Sequence, residues 1–222
     1  MNGPVRHLDH ATLVGYSAGA LPVAFAAVVA SHLELCATCR AQLAVADAIG
    51  ARLIEQQEGA PLSSPAREAF RARLEGEAIE PPRAPAPQPQ PQSDPDLLPT
   101  PLRPWFGDRY STLRWRTVGP GIHLLRAQGD APGAQLMMLR TAPGRRMPQH
   151  SHGNNELTLI LRGAYDDVLG HFGPGDVADL DLDTEHQPVT SPGVPCICVF
   201  ASDAPMKFSG WIARAMQSVL RI

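Results

Sequence analysis

Residues 144–163, GRRMPQHSHGNNELTLILRG, decide how the second half of this 222-residue chain is read. His150 and His152 stand two apart, and residues i and i+2 of a strand point to one face. Glu156 adds a carboxylate one hairpin-like step onward, so three ligating side chains gather on that face. The aliphatic run behind it, and a second run VPCICVFAS at 194–202, are short and rich in aliphatic and β-branched residues. The turn signals PGR, FGPGD and SPGVP separate such runs at a spacing of about eight to twelve residues, the mark of an antiparallel barrel or sandwich. No long helical pattern interrupts them.

Upstream the period changes. Leu13, Tyr16, Phe25, Val29, Leu33, Leu43, Ile49 and Leu53 recur at three-to-four spacing in a segment dominated by alanine and leucine, which predicts helices. Gly19 is placed to stop the first helix, and Pro22 to stand in the first turn of the second. After GAPLSSP, a fourth helix puts Ala66, Phe70, Leu74 and Ala78 on one stripe. Between the two halves, residues 81–104 hold ten of the chain's 23 prolines and no apolar periodicity. This is an extended, semi-rigid linker. The reading is therefore a two-domain α plus β chain: a four-helix domain over 1–80, a linker over 81–104, and an antiparallel β domain over 105–222.

Composition excludes several classes. Hydrophobic content is 44% and the formal net charge is −3, which argues against a dedicated binder of nucleic acid or anionic membrane. The longest apolar run, about ten residues over 20–30, is shorter than a membrane span requires, and no cleavage pattern precedes it, so a cytoplasmic location is expected. There, Cys36, Cys39, Cys196 and Cys198 are read as metal ligands or buried thiols rather than disulfides. Charge is uneven: residues 1–80 carry 6 basic against 9 acidic side chains, so a basic partner surface would meet that part first.

The first candidate site lies in SHLELCATCR, residues 31–40. His32, Cys36 and Cys39 at i, i+4 and i+7 come to one side of a helix or a helical corner. Two thiolates and an imidazole select zinc, which wants a fourth ligand. If the first helix begins near Asp9, His7 lies at its mouth and can fold back, and His10 is the fallback. Without a βαβ setting the CxxC is not read as a redox motif. Such a site is coordinatively filled and holds shape. His7 followed by HLELCATC resembles the zinc-binding anti-sigma domain, a small helical bundle that clamps an extracytoplasmic-function sigma factor, and LVGYSAGALP is similar to that family's first-helix segment.

The 144–163 stretch resembles the first motif of the cupin family in every spaced position. In the second motif the register gives Gly175, Asp181 where proline is usual, Asp183 where glycine is usual, His186 as the histidine, and Thr190 where asparagine often follows. The resemblance implies a metal held by His150, His152, Glu156 and His186, a divalent ion with zinc the first choice. His123 and His171 are read as surface histidines, Cys196 and Cys198 as core thiols, Met137 and Met138 as covers of strand faces, and Trp105, Trp115 and Trp211 as plugs of the barrel or its ends.

Over essentially the whole chain this combination resembles the ChrR-type anti-sigma factors. The resemblance implies a non-enzymatic regulator that binds an extracytoplasmic-function sigma factor, makes no direct contact with nucleic acid or membrane, and releases the sigma under singlet oxygen or organic hydroperoxide. The stripe around Phe70 and Leu74 is the expected partner-binding surface. A cupin metalloenzyme of dioxygenase type with a regulatory zinc domain is the alternative, since the three essentials of a cupin site are present.

Overall fold

The structure, a computed structural model, describes residues 3–76, 94–127, 134–151, 155–180, 185–204 and 207–208. Four helices open the chain, as the periodicity predicts: α1 (His10–Ser17), α2 (Val23–Leu35), α3 (Ala37–Glu55) and α4 (Ser64–Gly76). A short fifth, α5 (Arg103–Phe106), precedes the strands. Asp9 caps α1 by accepting from the Thr12 N–H at 2.6 Å, and Gly19 ends the turn after it with φ +65°, a conformation that favours glycine. Between α2 and α3 a single extended residue, Cys36, makes a corner of 120°. The guanidinium of Arg40 reaches back around it to donate to the Leu33 carbonyl at 2.6 Å, satisfying one of the open carbonyls at the end of α2.

Among the described residues after a 3-10 turn at Tyr110–Thr112, the regular structure is antiparallel β. Its strands are β1 (Arg116–Gly119), β2 (Ile122–Arg126), β3 (Gln135–Thr141), β4 (His150–Ser151), β5 (Glu156–Arg162), β6 (Tyr165–Asp167), β7 (Gly170–Phe172), β8 (Val177–Leu180), β9 (Glu185–His186), β10 (Val189–Thr190), β11 (Cys196–Ser202) and β12 (Lys207–Phe208). One six-stranded sheet runs β1-β2-β3-β11-β5-β8, and two three-stranded sheets run β10-β6-β7 and β12-β4-β9.

Both faces of the large sheet are covered, which is why β5 reads as a nearly continuous apolar run. On β5, Ile160 packs with Tyr165, Phe172, Ala178 and Cys196 inside the barrel. Leu157 and Leu159 face the other way and share a core with Val199 of β11, Met138 of β3 and Val28, Val29 and Leu33 of α2. Met137 points to the barrel side with Leu124 and Phe200, so the two methionines cover opposite faces. Trp105 and Trp115 pack against the α2 side of the sheet rather than plugging the barrel, and Trp211 lies outside the described residues.

Two compact units result: 1–50 together with 96–222, and 51–95. These units do not break at residues 80 and 105. The reason is α2, whose Ala24, Phe25, Ala27, Val28, Val29, Ser31, His32 and Leu33 are all buried. A helix apolar on most of its circumference needs cover on most sides, and β3, β5, β11 and the 3-10 turn at Thr100–Leu102 supply it. The second unit contains the last turn of α3 and all of α4, and every described residue of it before Asp94 is exposed. Among the described residues no single helix is long and apolar enough to cross a membrane.

Candidate metal centres

The α2–α3 corner gathers four ligating atoms within 4.8 Å of one another: one each from His7, His32, Cys36 and Cys39. His32 Nε2 lies 3.2 Å from Cys39 Sγ, and His7 Nδ1 lies 3.3 Å from Cys36 Sγ and 3.7 Å from Cys39 Sγ. Tetrahedral zinc with sulfur at about 2.3 Å and nitrogen at about 2.0–2.1 Å sets N···S edges of about 3.5 Å, so these separations fit one ion. The donor set is soft and leaves no carboxylate or open position. Such a centre fixes chain geometry when loaded.

Each ligand is placed by its local chain. His32 sits on the last turn of α2 with its ring fully buried. Its Nδ1 lies 2.8 Å from the Gly175 carbonyl, which can only accept, so Nδ1 carries the proton and Nε2 presents its lone pair to the cluster. Burial holds the imidazole below its ordinary value, the nearby His7 adds to that, and the Gly175 bond and the Asp176 carboxylate oppose it. Cys36 forms the corner itself, and its sulfur accepts from the Cys39 N–H at 3.3 Å. Burial first, opposed by a backbone bond at Leu8 and reinforced by Cys36, pushes the Cys39 thiol up to about 11, so a bound cation is what would make it a thiolate at neutral pH. His7 is the exposed member, carried on a strap ahead of α1, whereas His10 is the first residue of α1 and stands outside the cluster.

The barrel site is described in part. Glu156 and His186 are 5% and 4% exposed, at the start of β5 and on β9. Glu156 accepts from the Thr158 hydroxyl at 3.0 Å. The β4 backbone pairs with β9 so that His150 stands opposite His186. His152 lies outside the described residues, as do Asp181 and Asp183 of the second motif. His186 Nδ1 is 2.8 Å from Oδ2 of the buried Asp167, a carboxylate that fixes the ring and leaves Nε2 for a ligand. Thr190 serves the chain rather than the site, because its hydroxyl donates to the Ala142 carbonyl at 2.6 Å and accepts from the Arg145 N–H at 2.8 Å, closing the turn at the head of the first motif. His171 is exposed and pairs with Asp166 at 2.9 Å, while His123 accepts from or donates to the Thr117 hydroxyl at 3.1 Å.

Three contributions escaped the sequence: Asp167 ends β6, Gly175 is legible only as a position of the second cupin motif, Asp176 stands in a turn read only as a turn, and the partners of all three are many residues away. FGPGD held the one available signal, an aspartate ending a glycine-rich turn.

A helical His/Cys cluster that could hold a metal ion, built against an antiparallel barrel, defines a chain with a metal-binding helical corner and a cupin-like β domain. Residues 108–205 match the family described as the ChrR cupin-like domain. The chain is 38% identical over 219 residues to the anti-sigma-E factor ChrR of Cereibacter sphaeroides, covering 98% of each chain. It is also similar to the ChrR chain in the crystal structure of Rhodobacter sphaeroides SigE in complex with the anti-sigma ChrR, at 36% identity and a TM-score of 0.71, over 90% of this chain and 99% of that one. The chain belongs to the ChrR family of anti-sigma factors, regulators and not enzymes.

Proposed function

We propose that this chain binds an extracytoplasmic-function sigma factor in the cytoplasm and holds it inactive, through the 1–80 segment, with 81–104 as linker and 105–222 as the cupin domain. The observation that carries this reading is the 36% identical ChrR chain captured in complex with SigE. The surface supports it. Phe70 and Leu74 on α4 are 56% and 52% exposed, and no residue of α4 is buried. An isolated helix of 13 residues is marginal in water, so this one gains most of its stability by docking. On the first unit, Val14, Leu35, Val45 and Ile49 are exposed as well.

The ion at His7, His32, Cys36 and Cys39 is zinc in this reading, and its role is to hold the α2–α3 corner. The barrel's His150, His152, Glu156 and His186 hold a divalent metal and serve release of the sigma under singlet oxygen or organic hydroperoxide. Neither nucleic acid nor a membrane is touched.

The test is binding of the purified chain to an extracytoplasmic-function sigma factor from the same organism, by calorimetry. Burial of a phenylalanine or leucine contributes about 1.5–3 kcal/mol, so Phe70→Ala or Leu74→Ala should each weaken binding by about 10- to 100-fold. A chain whose affinity is indifferent to both would sink the assignment of this surface.

A further inference from the structure

The strap that carries His7 is fastened to the barrel through Asp176 and Arg6. Asp176, 3% exposed, follows the β7–β8 turn. Its Oδ1 accepts from the Val5 N–H at 2.7 Å and the Arg6 N–H at 2.9 Å, while Oδ2 accepts from the Gly173 N–H at 2.8 Å and closes the turn. Arg6 answers in kind: its guanidinium donates to the Leu169 carbonyl at 2.7 Å and lies 5.2 Å from the Phe172 ring centroid. One residue before Asp176, the Gly175 carbonyl fixes the His32 ring. Gly175 has φ +89°, and a Cβ there would sit 2.8 Å from Pro4 Cγ, so the strap is seated against bare backbone.

We infer that the 173–176 turn of the barrel is the outer sphere of the N-terminal metal centre, with Asp176 the positioning residue that sets His7 and the Gly175 carbonyl the acceptor that sets His32. Two of the four ligands are thereby oriented by the barrel, and the other two by the helical corner. The inference rests on reading the His/Cys cluster as a zinc site. The strap has a second tie: Asp167, which holds His186 through Oδ2, accepts from the Leu169 N–H at 2.8 Å through Oδ1, and the Leu169 carbonyl takes the Arg6 guanidinium. The hairpin between β6 and β7 thus touches a candidate ligand of the barrel at one end and the His7 strap at the other.

The experiment is zinc transfer from the intact chain to a colorimetric chelator, together with the ligand-field spectrum of the cobalt-substituted chain and its circular dichroism, all without any sigma factor. Removing outer-sphere partners commonly lowers metal affinity about 10- to 100-fold. Asp176→Ala should keep the native dichroism, release zinc faster by about that factor, and shift the cobalt bands, because the ligand set is intact but His7 is free to wander. Asp176→Asn keeps the oxygen that faces Val5 and Arg6 and loses only the acceptor toward Gly173, so it should retain zinc nearly as the parent does. If Asp176 served the turn alone, the asparagine would fail as badly as the alanine. Arg6→Ala, which removes the bond to the Leu169 carbonyl and the stacking on Phe172 but leaves the Asp176 turn in place, should move release in the same direction as Asp176→Ala and keeps the test decisive should that variant not fold.

Parental zinc retention in both Asp176→Ala and Arg6→Ala overturns the inference. A parent chain that binds no zinc overturns it too, along with the reading of the cluster. Because no sigma is present, a failed partner assignment leaves the result standing.

Discussion

Cys196 lies 4% exposed on β11 against Ile160, Tyr165, Phe172 and Ala178, and its environment determines its chemistry. Burial pushes the thiol from 9.0 up to about 12. Cys198, two residues along the same strand, is raised as well, first by burial and then by Cys196 and the Glu156 carboxylate. The folded chain therefore holds protons that the unfolded chain gives up near pH 9. By linkage, the stability tied to Cys196 is whole below pH 9 and is lost as pH rises from there through about 12. The urea midpoint should fall between about pH 8 and pH 10, and Cys196→Ala should flatten that fall. Iodoacetamide, which attacks thiolates, should label neither residue in the native chain at about pH 8 and both after unfolding. Fast native labelling of Cys196 would contradict this placement. Leu159, with no exposed surface on the opposite face of the sheet, makes the same point in packing: truncation to alanine should cost about 2–5 kcal/mol by denaturant titration.

The elements differ in how completely each is satisfied. In α2, cover from the sheet buries even Ser31, whose hydroxyl donates to the Ala27 carbonyl at 2.7 Å. In α4 nothing is buried, although its stripe of Ala66, Phe70 and Leu74 is amphipathic enough to dock. Amide exchange should be fast along Ser64–Gly76 in the free chain and slow markedly when the sigma partner is added, while α2 stays protected in both states. Unchanged exchange in α4 on binding would move the interface elsewhere. The same contrast separates what is legible in the sequence from what is not. The four helices, the corner and the grouping of His32, Cys36 and Cys39 follow from spacing within a few turns, so the sequence displays them. Asp176 and Asp167 could not be found that way, because their roles depend on Val5, Arg6 and His186 arriving from distant parts of the chain. The burial of α2 does leave a trace in its residues: Ala24, Phe25, Val28, Val29 and Leu33 wrap the helix on more than one face, which a free-standing small bundle could not have buried.

At the scale of the molecule, that buried helix changes what the proline-rich stretch can mean. A linker suggests two bodies that fold independently, yet residues 1–50 and 96–222 share one core in which Val28 and Val29 of α2 meet Leu157, Leu159 and Val199 of the sheet. Neither partner could part from the other without exposing those side chains to water, at about 25 cal/mol for each Å² uncovered. The helices and the barrel should therefore melt together. Trp105 and Trp115 pack against this shared core, so their fluorescence reports on it, while far-ultraviolet dichroism reports chiefly on the helices. Heating the metal-loaded chain should give coincident transitions by the two probes, apart from the early loss of α4. A fragment of 105–222 makes the complementary case: freed of α2, it presents Leu136, Met138, Leu157, Leu159 and Val199 on one open face, and contiguous apolar surface of that kind drives self-association. Light scattering should find the fragment oligomeric at concentrations where the whole chain is not. Separate melts and a monomeric fragment would together mean that the barrel does not depend on α2, and the fastening of the His7 strap to Asp176 would then be left to hold the two parts together alone.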